Sequence, residues 1–118
     1  MKVIYTKVHG YLDYALGFVL LLIPSILQLD SDSLESLIFY ILSILILFYS
    51  ILTDYELGVY KILPMKVHLI VDLVAGIFLL VSPWIFGFYH TIYLPYVILG
   101  LIQIGCAILT KPEVEYVR

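Results

Sequence analysis

Lys66-Val67-His68-Leu69-Ile70-Val71-Asp72-Leu73-Val74-Ala75-Gly76-Ile77-Phe78-Leu79-Leu80-Val81-Ser82-Pro83 occurs in this chain in a second, earlier version. At a fixed offset of 59 the earlier copy reads Lys7-Val8-His9, then Asp13, Gly17, Leu20-Leu21 and Pro24, and 8 of its 18 positions are identical. One offset preserved across so many residue types marks an internal duplication. Each copy places a His and an Asp four residues apart near one end of an apolar helix, so any chemistry is expected there.

The composition gives the solvent. Of 118 residues 64% are hydrophobic and only 13% charged. A soluble domain of this size cannot hide that much apolar surface. Four long apolar runs point to a bilayer as the surrounding medium for most of the chain. The net charge of −3 comes without a basic patch, which excludes a nucleic-acid partner. The single cysteine, Cys106, excludes an internal disulfide and a thiolate cluster, and its place beside Gly105 and Ala107 reads as a small buried residue. Lys2 and Lys7 precede an apolar run as in a signal peptide. No small-x-small cleavage site follows, and the run matches a later one, so it is expected to be retained.

Four helices are expected, over residues 6–29, 33–53, 65–88 and 93–110. The first would be about 36 Å long, enough to span with tilt. Pro24 should kink or end its last turns. Asp32 and Glu35 form a capping-box pattern for the second helix, and Pro64 and Pro95 suit the first turns of the third and fourth. Ser36, Ser43 and Ser50 recur every seven residues, a small-residue packing stripe. Gly100 and Ala107 match Ser43 and Ser50 at an offset of 57. Both even helices end alike, Ile51-Leu52-Thr53-x-x-Glu56 and Ile108-Leu109-Thr110-x-x-Glu113. The duplicated unit is therefore a helical hairpin: residues 1–59, then 60–118, together one membrane domain. Trp84, Tyr89 and Tyr93 fit an aromatic belt at one interface, and His90 is expected in the solvated turn beside them.

Lys2, Lys7, Lys61, Lys66, Lys111 and Arg118 all fall on the side of the termini and the central loop. The two hairpin turns opposite carry no Lys or Arg. The positive-inside rule then puts both termini in the cytoplasm, and the two hairpins run parallel, related by an axis along the membrane normal.

Ser82-Pro83-Trp84, with Asp72 and Gly76 upstream and Gly87-Phe88 downstream, resembles the SPW repeat of small prokaryotic integral membrane proteins. In that family a repeat is a pair of transmembrane helices with Ser-Pro-Trp in the first. The first copy here departs from it, reading Ile23-Pro24-Ser25 and keeping only the proline. The resemblance implies the fold and a prokaryotic cell-membrane location, and it implies no activity.

His9, Asp13 and Gly17 lie at about 0°, 40° and 80° around a helix, with Pro24 near 60°. His68, Asp72, Gly76 and Pro83 repeat that stripe. A pseudo-two-fold axis would turn the stripes toward each other, with Gly17 and Gly76 letting the first and third helices approach closely. His9, Asp13, His68 and Asp72 would then cluster one to two turns inside the cytoplasmic surface. Ionisable groups in a membrane face partners or cavities, and three readings are open. The cluster is a polar clamp fixing register between the repeats. It holds a ligand, either a divalent metal on His2Asp2 or a haem between the two histidines. Or it belongs to a proton or ion pathway, against which stands the lack of any ionisable group in the outer halves of the first and third helices. Thr53/Glu56 and Thr110/Glu113 could supply outer acceptors to the cluster or be solvated helix ends.

The expectation is an all-α, four-helix transmembrane bundle of two parallel two-helix repeats. Its function would be packing, self-assembly or assembly with a membrane partner, with a ligand held at the stripe. A membrane redox protein with haem or metal is the enzymatic alternative.

Overall fold

The computed structural model describes residues 1–115; Arg118, counted above among the cations, lies outside them. Four α-helices follow one another: α1 (Thr6–Ile26), α2 (Leu34–Leu52), α3 (Met65–Ile85) and α4 (Leu94–Leu109). α1, α2 and α3 are long and apolar enough to cross a membrane. α4, with 16 residues, is apolar but spans only about 24 Å. Ser33 rather than Asp32 caps α2, its side chain accepting the Ser36 N–H at 3.2 Å. The helix starts one residue later than the Asp32/Glu35 pattern places it, which removes Asp32 from the capping position.

α1 packs on α2 and α3 on α4, while α2 and α3 touch less. The buried faces repeat. Thr6, His9, Asp13, Gly17, Leu20 and Pro24 on α1 correspond at 59 to Met65, His68, Asp72, Gly76, Leu79 and Pro83 on α3, and all twelve are buried. On the even helices Phe39, Ser43, Ile46 and Ser50 correspond at 57 to Tyr96, Gly100, Gln103 and Ala107, again all buried. The three serines of α2 thus form the expected packing stripe, and Ser43 Oγ donates to the Gly17 carbonyl at 2.7 Å.

The ends repeat as well. Ile4 pairs with Thr110 and Leu63 with Thr53 in isolated parallel bridges. Ile4 N–H donates to Leu109 O as Leu63 N–H does to Leu52 O, and Lys111 N–H to Ile4 O as Asp54 N–H does to Leu63 O. Each even helix is tied at its exit to the segment that enters an odd helix of the other repeat. At the opposite end Gln28 (φ 56°) and Gly87 (φ 76°), 59 apart, end α1 and α3 in the same left-handed conformation. Trp84 stacks on Tyr89 at that end and stands against Tyr93. Ser82 and Pro83 point inward, Trp84 is about half exposed, and His90 is exposed.

The glycines correct one expectation. A Cβ on Gly17 would meet Leu47 of α2, and one on Gly76 would meet Ile104 and the Gly100 carbonyl of α4. Each glycine seats its helix against its own hairpin partner. α1 and α3 meet through their longer side chains instead.

Candidate metal centre

His9 and Asp13 lie on the first turns of α1, about 5 and 11 Å from its start, and His68 and Asp72 take the same positions on α3. The i, i+4 spacing puts each His over its own Asp. The pseudo-symmetry then brings the two pairs together. His9 Nε2 lies 2.6 Å from Asp72 Oδ2 and 3.0 Å from Asp13 Oδ2; His68 Nε2 lies 2.6 Å from Asp13 Oδ2 and 3.2 Å from Asp72 Oδ2. All four atoms fall within 4.8 Å of one another, and all four side chains are buried. The shorter contacts cross between repeats and the longer ones stay within a helix. The sequence expectation of one shared cluster therefore holds in the geometry.

The outer histidine nitrogens are fixed by two threonines. Thr53 Oγ1 donates its hydrogen to the Tyr49 carbonyl (2.6 Å) and stands 2.6 Å from His68 Nδ1. Thr110 Oγ1 donates to the Cys106 carbonyl (2.5 Å) and stands 2.7 Å from His9 Nδ1. A hydroxyl whose one hydrogen is committed can only accept from the ring. Both Nδ1 atoms therefore carry hydrogen, and both Nε2 atoms face the centre. Each threonine serves the histidine of the other repeat. Of the two glutamates once paired with them, Glu56 accepts from Thr6 Oγ1 at 2.7 and 2.9 Å, while Glu113 is exposed.

Two further residues shape the site. The Tyr49 hydroxyl donates to Asp72 Oδ1, and the Tyr49 ring stands edge-on to His68. Tyr55, from the loop between α2 and α3, is fully buried with its ring 5.6 Å from that of His68, and burial pushes its phenol well above the usual range. Neither tyrosine carried a local signal, since one sits in an apolar run and the other in a charged loop. Comparing repeats could have singled out Tyr49, because its counterpart at offset 57 is Cys106.

The geometry also decides what fits. A haem held by two histidines needs an open slot between the imidazoles. Here Asp13 and Asp72 fill the space between His9 and His68, whose centroids are 5.4 Å apart, so the haem expectation fails on sterics. The four donors, two imidazole nitrogens and two carboxylate oxygens, are of a kind that could hold a single small cation. Ligand atoms bound at about 2.0–2.1 Å stand about 2.9 Å apart in a planar arrangement and about 3.4 Å apart in a tetrahedral one. The two N–O edges within a helix, 3.0 and 3.2 Å, lie in that range, and the two that cross between repeats, 2.6 Å each, are shorter than it, so those donors would have to draw apart around an ion.

The sequence model of the SPW repeat domain matches residues 7–110, nearly the whole chain. The chain belongs to the SPW repeat domain family. The match runs from Lys7 to Thr110, so the cluster, the two threonines and Tyr49 all lie within the family domain. This member is a membrane protein with a buried His/Asp cluster inside the family domain. Comparison with curated proteins and with solved structures gives no match in either.

Proposed function

We propose that this SPW protein is a non-enzymatic membrane module whose two hairpins are joined by one divalent metal ion. His9 and His68 bind through Nε2, and Asp13 and Asp72 through Oδ2. The observation that carries the reading is the convergence of four donor atoms from both repeats, with both Nδ1 atoms held by threonine oxygens. That arrangement presents the Nε2 lone pair of each neutral histidine to the centre. Hydrogen-bonded outer nitrogens are what metal-binding histidines ordinarily have. Charge agrees: two carboxylates and a divalent ion sum to zero, so nothing is left uncompensated in a low-dielectric interior. Imidazole and carboxylate together suit the borderline ions Zn²⁺ and Fe²⁺, ahead of the harder Mn²⁺. Four protein ligands leave no open position, which is the pattern of a structural site rather than a catalytic one.

A second reading rests on the 2.6 Å contacts between His9 and Asp72 and between His68 and Asp13. That is slightly shorter than a typical charge-assisted N–H···O bond. Without an ion, two imidazolium–carboxylate bonds across the repeats would form a clamp that sets their register. The metal and the clamp differ in whether Nε2 carries a hydrogen. Co²⁺ added to the purified, chelator-treated protein separates them. The metal reading expects intense visible bands of a four-coordinate nitrogen–oxygen site, lost in His9→Ala. A weak six-coordinate spectrum, equal in both proteins, leaves the clamp alone.

The module's immediate partner is the bilayer lipid. The cluster and the cationic end, with Lys2, Lys7, Lys61, Lys66 and Lys111, lie toward the cytoplasm in this reading, supported by the absence of Lys and Arg from the opposite turns.

A further inference from the structure

The two repeats differ where they flank the cluster. On the α2/α3 side Tyr49 hydrogen-bonds Asp72 and is itself buried. The groove there is lined only by apolar side chains, among them Leu42, Leu45 and Val71, and stops short of the cluster. On the α1/α4 side the counterpart of Tyr49 is Cys106, and the counterpart of Ile46 is Gln103. A cavity of about 210 Å³ opens there between Leu16, Val19, Leu99 and Ile102, and it reaches Asp13, Gln103 and Cys106. Among the described residues no hydroxyl donates to Asp13 as Tyr49 does to Asp72. Gln103 is 1% exposed, and neither its Nε2 nor its Oε1 has a hydrogen-bond partner.

A buried amide with both ends unsatisfied is costly, and here it lines a cavity rather than a packed wall. The repeat that lacks Gln103 has Ile46 fully buried in the core at the same place. The side that lacks the phenol has an opening beside the equivalent carboxylate, Asp13. We propose that the α1/α4 cavity binds a small lipid-soluble phenol, the aromatic hydroxyl class, which stands beside Asp13 where Tyr49 stands beside Asp72. Its hydroxyl donates to the Asp13 carboxylate and accepts from the Gln103 amide, and its ring lies between Leu16 and Leu99. A cavity of about 150 Å³ is known to admit one benzene ring, so the volume suffices. Exposed Val19 and Ile102 border the cavity, which lets such a molecule enter sideways from lipid. The site is independent of any ion, because Asp13 faces the cluster through Oδ2 and has a second oxygen.

The test uses the full-length protein in nanodiscs and 4-fluorophenol observed by fluorine NMR, with fluorobenzene as the ligand lacking the hydroxyl and empty nanodiscs as background. The wild type should bind 4-fluorophenol saturably and at least about tenfold more tightly than fluorobenzene, which can make neither hydrogen bond. Gln103→Ile, which copies the other repeat, should narrow that preference several-fold, leaving only the bond to Asp13. Cys106→Tyr should fill the cavity and abolish binding of both while the helix content by circular dichroism persists. If Cys106→Tyr does not fold, Gln103→Ile still decides. Absent saturable binding, equal affinity for the two ligands in the wild type, or unchanged selectivity in Gln103→Ile overturns the proposal.

Discussion

His9 and His68 each bond through Nδ1 to a threonine hydroxyl that the other repeat supplies at a helix exit. Thr53→Val and Thr110→Val keep the shape and remove the acceptor, leaving an imidazole N–H unpaired in a buried site. Either variant should lower affinity for Zn²⁺ or Co²⁺ by about 10–100-fold with the helix content intact, as read by competitive chelator titration and circular dichroism. Unchanged affinity would separate the threonines from the centre. At this scale the sequence was legible where identity and period coincided. His-x-x-x-Asp at one offset in two apolar helices fixes both depth and face, and the four residues meet as expected. Tyr49 and Gln103 were not legible, because what they touch depends on tertiary placement and the surrounding Leu and Ile conceal them. Their signal was in the mismatch of the two repeats, Tyr49 against Cys106 and Ile46 against Gln103.

At the scale of helices the His/Asp/Gly stripe does two jobs. It is about 80° wide, so one edge can face the other repeat while the other edge faces the hairpin partner. This is why the stripe was right and the partner assigned to Gly17 and Gly76 was wrong. The two hairpins are packed with different tolerance. An added Cβ on Gly100 would come within 2.8 Å of Leu80 N and 2.9 Å of the Gly76 carbonyl, all backbone, whereas on Gly17 its nearest neighbours are side-chain atoms of Leu47. Backbone cannot yield as a leucine side chain can. Gly100→Ala should therefore cost about 1–3 kcal/mol and Gly17→Ala clearly less, measured by reversible unfolding in mixed micelles. Equal losses would contradict the packing described for α3 and α4. Helix ends were legible within a few residues. α1 and α3 stop three residues early at their far ends, where Gln28 and Gly87 turn left-handed, a backbone choice that glycine announces and glutamine does not.

For the whole molecule, duplication is the organising fact. It makes each hairpin contribute half of the centre, and it ties each even helix to the segment that leads into an odd helix of the other repeat. The parallel arrangement also puts the five lysines at one end. With that end cytoplasmic, a reporter active only outside the cytoplasm and fused after Arg118 should give no signal, while the same reporter inserted near Ser31 should give one. The reverse pattern would invert the topology and move the centre to the outer leaflet. Coupling between repeats is measurable too. Independent substitutions add within about 0.5 kcal/mol, so a His9→Ala/His68→Ala cycle should depart from additivity by more than that. The most direct measurement is elemental analysis of the purified protein beside Asp13→Asn/Asp72→Asn. One divalent ion per wild-type chain, falling to background in the double variant, is the expected result. Metal-free wild type that stays metal-free after Zn²⁺ loading, or equal metal in both proteins, would contradict it.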